Sequence, residues 1–106
     1  MPFRLNHLEF LTLLALARLG DDANAASVRA DIASTGGRRA SVAGVYAALD
    51  RLVHLRLARG WLSDPRPEPG GRARRHYRLT ATGHAWLERE RARTAALWRG
   101  IPTADR

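Results

Sequence analysis

Apolar positions follow a helical spacing up to about residue 55, give way to short extended runs on either side of a Pro/Gly-rich loop between residues 57 and 79, and return to a helical spacing after residue 80. The first stretch, Leu5 to Leu19, carries Leu8, Phe10, Leu11, Leu13, Leu14, Ala15, Leu16 and Leu19. These wrap most of the circumference, so this helix needs neighbours on two sides. The second neighbour is either another layer of the same chain or another subunit. Gly20 closes the helix as its C′ residue. Asp22 is the expected N-cap of a second helix running to about Thr35, with Val28 and Ile32 one turn apart on its inward stripe and Gly36-Gly37 at its end. Ser41 is the expected N-cap of a third, in which Val42, Val45, Leu49, Leu52 and Val53 share the inward face. Its opposite side holds Ala43, Gly44, Ala47, Arg51 and His54. A helical glycine costs roughly 1 kcal/mol relative to alanine. Gly44 makes sense if a DNA strand, or the second helix, comes close to the backbone there.

Past Leu55 the pattern is extended. Leu57–Leu62 and Arg75–Leu79 read as short strands, with Leu57, Trp61, Tyr77 and Leu79 as inward candidates. Between them runs Ser63-Asp-Pro-Arg-Pro-Glu-Pro-Gly-Gly71, whose alternate prolines favour an extended path and whose glycine pair allows the reversal. Such a loop projects from the domain. Thr80 is the expected N-cap of a last helix reaching about Trp98. Glu88 with Arg91, and Glu90 with Arg93, form i,i+3 pairs on its wet side. Trp86, Leu87, Thr94, Leu97 and Trp98 make a discontinuous stripe too aromatic to be left in water. The residues after Gly100 should fray.

A chain of 106 residues suits one domain. The expected division is a core over residues 5–79, a C-terminal helix over 80–98 and a tail over 99–106. All eighteen basic residues are Arg, against ten acidic ones, for a formal charge of +8. Coding bias explains the choice of Arg over Lys better than it explains the excess, and the excess points to a polyanionic partner. The densest charge is Arg72, Arg74, Arg75 and Arg78, a stretch without an acid. Arg38 and Arg39 fall in the turn before the third helix, where they meet phosphates or face water. The absence of Cys excludes a disulfide framework, a thiolate metal site and a cysteine nucleophile. The N-terminus has no signal-peptide pattern, and the apolar run Leu8–Leu19 is too short to span a bilayer. A soluble, cytoplasmic protein without a membrane partner is expected.

The order helix, helix, helix, strand, wing, strand, helix is that of a winged helix-turn-helix domain, mainly α with a small β component (α+β). Four segments add a likeness: Leu8-Glu-Phe-Leu-Thr-Leu-Leu-Ala-Leu16, Ser41-Val-Ala-Gly-Val-Tyr-Ala-Ala-Leu-Asp-Arg-Leu52, the Pro-Glu-Pro-Gly-Gly-Arg72 wing, and Tyr77-Arg-Leu-Thr-Ala-Thr-Gly83. Over residues 5 to 99 the chain resembles the PadR family of transcriptional regulators, in its compact branch with a short C-terminal part. The resemblance implies a homodimer joined largely through the first and last helices, acting as a repressor on double-stranded DNA, with two third helices in successive major grooves. It also implies release by a small aromatic or hydrophobic effector. Carried over by position, Tyr46 matches the family tyrosine of the recognition helix. Ser41, Ala43, Gly44 and Ala47 fall where that helix meets DNA, and Arg72, Arg74 and Arg75 fall on the wing. Three departures stand out: Asn24-Ala25 where the family often has Tyr-Gly, Arg56 where Gly often ends the third helix, and His76 in place of a second aromatic.

The expected DNA-binding set is therefore Arg38, Arg39, Ser41, Ala43, Gly44, Tyr46, Ala47, Arg51, Arg72, Arg74 and Arg75. The expected dimer set is Leu8, Leu11, Trp86, Leu87, Thr94, Leu97 and Trp98. Because the outer face of the third helix has few long polar groups, base discrimination would lean on methyl contacts, Tyr46, Arg51 and DNA shape. No catalytic residue, cofactor or metal is assigned. His7, His54, His76 and His84 lack metal-site spacing, and there is neither a Gly-rich phosphate loop nor a nucleophile elbow. Glu9 and Asp50 read as helix-surface partners for Arg. The competing reading is a winged helix that binds protein instead of DNA; an acid-free cationic strand argues against it.

Overall fold

The computed structural model describes residues 3–63 and 74–104. The stretch 64–73, with Arg72 and most of the wing loop, lies outside them. Helix α1 spans His7–Leu19, α2 Ala25–Gly36 and α3 Val42–His54; strands β1 (Ala58–Leu62) and β2 (Arg75–Leu79) precede α4 (Ala81–Trp98). The winged-helix order is as expected.

Each helix starts where a side chain satisfies the first backbone donors. Asn6 caps α1, with its side chain accepting from the Glu9 N–H at 2.8 Å and its own N–H donating to Glu9 Oε1 at 2.9 Å. At α2 the expected cap, Asp22, is displaced by Asn24, which forms a reciprocal pair with Ser27 at 2.9 Å in both directions. The reason lies in the sheet. Residues Gly20–Asp22 form a 3-10 turn, and Ala23 is extended because its carbonyl accepts the Tyr77 N–H at 2.9 Å. Ser41 and Thr80 cap α3 and α4 as expected.

The core lies between α1, α2 and α3 and is closed below by the hairpin. Leu13, Leu16, Val28, Ile32, Val45, Leu49, Leu52, Leu57 and Tyr77 are all buried. The inward stripe of α3 is narrower than expected: Ala48 is buried with Val45, Leu49 and Leu52, while Val42 and Val53 are exposed. At 3.6 residues per turn those two valines sit on the margin of the stripe.

β1 and β2 pair antiparallel from Ala58↔Leu79 to Leu62↔Arg75. The ladder continues one step outward, where the Ser63 N–H donates to the Arg74 carbonyl at 2.8 Å. The Ala23–Tyr77 bridge stitches the hairpin to the α1–α2 junction. α4 then leaves from a tight crossing. The Thr80 N–H donates to the Leu57 carbonyl at 3.1 Å and the Thr80 hydroxyl to the Arg56 carbonyl at 2.7 Å. A Cβ placed on Gly83 would lie 2.1 Å from the Leu57 carbonyl oxygen, so only glycine allows the approach.

Candidate nucleic-acid interface

α3 is held from within by its apolar stripe and leaves its other side open. Ser41, Ala43, Tyr46, Ala47, Asp50 and His54 are exposed, Tyr46 by 41%. Small side chains at 43 and 47 leave the backbone approachable, and Tyr46 stands on the flank toward Val42 and Val53. Gly44 lies on the opposite flank and is only half-buried; a Cβ there would lie 3.0 Å from Ser41 Oγ and 3.5 Å from Leu8 Cδ2. The close neighbour at Gly44 is thus α1, not α2.

Arg51 is on that same flank. Its guanidinium donates from Nη1 to Glu9 Oε1 and Oε2 at 2.9 and 3.2 Å, and from Nη2 to the Arg4 carbonyl at 3.2 Å. Glu9, expected on a helix surface, is 6% exposed. Sequence periodicity could not show this pairing, because it crosses 42 residues of chain.

Arg38 and Arg39 are exposed in the link between α2 and α3, whose Ala40 carbonyl accepts from Arg29 Nε at 2.7 Å. Arg74 and Arg75 are exposed at the outer end of the hairpin. Trp61, expected to point inward, lies on the hairpin's outward face, because the register sets Gly60 and not Trp61 opposite the buried Tyr77. The Arg59 guanidinium sits 5.2 Å from the centre of the Trp61 ring, which stacks on its cross-strand partner His76 at 5.7 Å. Arg78 pairs with Asp21 at 3.0 Å. On the inner side, the Tyr77 hydroxyl is buried without a hydrogen-bond partner among the described residues. Burial pushes its pKa above the ordinary phenol value; Arg75 is near enough to oppose the shift, though outside hydrogen-bonding geometry.

The model of the transcriptional regulator PadR-like family matches residues 13–89, which takes in all of α2, α3 and the hairpin. The chain belongs to the PadR-like family. Among solved structures, a PadR family transcription regulator from Clostridium difficile is 23% identical, with 91% of each chain covered and a TM-score of 0.68. A PadR-like transcription factor from Bacteroides fragilis is 22% identical, with 85% of this chain and 82% of that one covered and a TM-score of 0.71. Bacillus subtilis PadR, solved in complex with operator DNA, is 17% identical over 95% of this chain and 52% of its own, with a TM-score of 0.66. At these identities the likeness is one of fold. No curated protein matches the chain.

This PadR-like chain carries a second open surface, on α4. Trp86 and Leu87 pack partly against the core, Thr94 is half-buried, and Leu97 and Trp98 are 62% and 64% exposed. A groove of about 420 Å³ runs between α4 and α1, lined on the α1 side by Phe10, Leu14 and Ala17. Leu8 and Leu11, expected on the dimer face, pack partly against the core, near Gly44 and Gly36. Phe10 and Leu14 were readable as the second face of an all-round apolar helix. Beside them a hollow of about 720 Å³ is lined by Phe3, Arg4, Leu5, His7, Phe10, Trp86, Glu90 and Arg93. Both ion pairs expected on α4 form, at 3.6 Å for Glu88–Arg91 and 2.6 Å for Glu90–Arg93. The hydrogen bond from Arg93 holds the Glu90 carboxyl below the ordinary carboxylate range. Among the described residues no cluster of His, Asp and Glu could hold a metal ion. No helix of the described residues is long and apolar enough to cross a membrane.

Proposed function

We propose that this chain is a sequence-reading DNA-binding regulator, acting as a dimeric repressor on a palindromic operator in the cytoplasm. The observation that carries this is the open side of α3. A helix fixed by one buried stripe leaves Ser41, Ala43, Tyr46 and Ala47 in solvent, in a chain of net charge +8. A major groove admits such a helix. Arg38 and Arg39 before α3, and Arg72, Arg74 and Arg75 on the wing, then neutralise phosphates and release counterions. The B. subtilis PadR complex with operator DNA lends the reading support by analogy of fold.

Dimerisation through α4, with Trp86, Leu87, Thr94, Leu97 and Trp98 against α1, would cover the exposed Leu97 and Trp98. It would also set two α3 helices roughly one turn of DNA apart. The candidate place for a small aromatic effector is the hollow beside Phe3, Phe10 and Trp86, whose volume is in the range of small-molecule sites and whose rim also carries Arg4, His7, Glu90 and Arg93. Titrating a generic duplex at two salt concentrations tests the DNA reading. Binding that weakens steeply with salt is expected, and absent or salt-insensitive binding refutes it in favour of a protein partner. Selection from a random duplex pool should then return a palindrome.

A further inference from the structure

The flank of α3 that faces α1 has two contacts of different kinds. Near its start the half-buried Gly44 faces Leu8 of α1, where a Cβ would lie in ordinary contact at 3.5 Å. In its last turn Arg51 forks across two partners, the Glu9 carboxylate and the Arg4 carbonyl. Glu9 is the pivot of this arrangement, since the same Oε1 that receives Arg51 also accepts the Asn6 N–H that closes the start of α1. A guanidinium drawn away to DNA would leave a buried carboxylate without its cation, which is strongly unfavourable. Recognition helices also meet base edges mainly through their N-terminal residues, and Arg51 is near the other end.

We propose that Arg51 is a positioning residue. With the Leu8 contact near its start and the Arg51–Glu9 latch near its end, α3 takes its tilt from α1, and with it the register of Tyr46, Ala43 and Ala47 on the operator. Arg51 itself touches neither base nor phosphate. This rests on the DNA-binding reading above.

The test compares the duplex that the wild-type protein selects with an unrelated duplex of equal length, each titrated across a salt series. Glu9→Gln keeps an acceptor for the Asn6 N–H but removes the carboxylate, so the helix start survives while the latch loses its charge and its second oxygen. Arg51→Lys keeps the charge but not the two-partner fork. Each is expected to weaken the selected duplex about tenfold, to leave the unrelated duplex unchanged, and to leave the salt slope unchanged. The inference is overturned if Arg51→Gln flattens the slope by about 0.9, the signature of one lost phosphate contact, while Glu9→Gln binds as well as wild type or better. Failure of the wild-type protein to bind any duplex is a separate result. It would remove the DNA reading itself, and this inference with it.

Discussion

Two single residues at the α3–α4 crossing carry opposite lessons about backbone geometry. α3 ends in a Schellman motif, in which the Leu57 N–H donates to the Leu52 carbonyl and the Arg56 N–H to that of Val53. The residue at its turning point, Arg56, has φ +64°, a left-handed conformation that glycine adopts without penalty. Here the departure from the family pattern has a measurable cost. Arg56→Gly is expected to stabilise the protein by about 1 kcal/mol, seen as a higher thermal unfolding midpoint. Gly83 is the converse case. Alanine is the better helix former by roughly 1 kcal/mol, yet Gly83→Ala drives a methyl into the Leu57 carbonyl. It should destabilise by about 1–3 kcal/mol, lowering the same midpoint, and an unchanged or raised midpoint would contradict the crossing. The glycine was visible in the sequence as part of a motif, but its reason was not, because the carbonyl it accommodates lies 26 residues earlier.

Among the elements, the helices and strands could be read from period and capping residues alone, and their bounds follow closely. Where the reading failed, a contact remote in sequence had intervened. Asp22 looks like a cap, but the strand partner of Ala23 draws that residue into the sheet and moves the helix start to Asn24. The pairing of Arg51 with Glu9 was likewise out of reach of the sequence, because a helical wheel separates core from solvent but cannot say which solvent-side flank meets α1. The hairpin end, where Arg74 and Arg75 are exposed, is where the proposed phosphate contact is most directly tested. Replacing Arg74 and Arg75 together with Ala should weaken all duplexes alike and flatten the salt dependence by up to about 2 in slope, one per lost phosphate contact. A fluorescence titration over a salt series reads this directly. An unchanged slope would place the hairpin end off the phosphates.

At the scale of the whole molecule, the three-helix core and hairpin form a closed body, whereas α4 fully buries only Gly83 among its residues and leaves Leu97 and Trp98 exposed, with Ile101 exposed just beyond its end. Such a patch on a small protein calls for a cover. Leu97→Asp is expected to convert a dimer to a monomer, halving the mass measured by light scattering while helical circular dichroism is kept. A mass that stays dimeric would move the subunit contact elsewhere. Within one subunit the end of α3 and the beginning of α4 are locked together by Thr80, Arg56, Leu57 and Gly83. In the dimer proposed above, this crossing would work as a caliper joint: the angle at which α4 leaves it would fix the gap between the two probes. On that proposal, operator spacing would be set by a handful of backbone contacts at the foot of α4 rather than by the residues that face DNA.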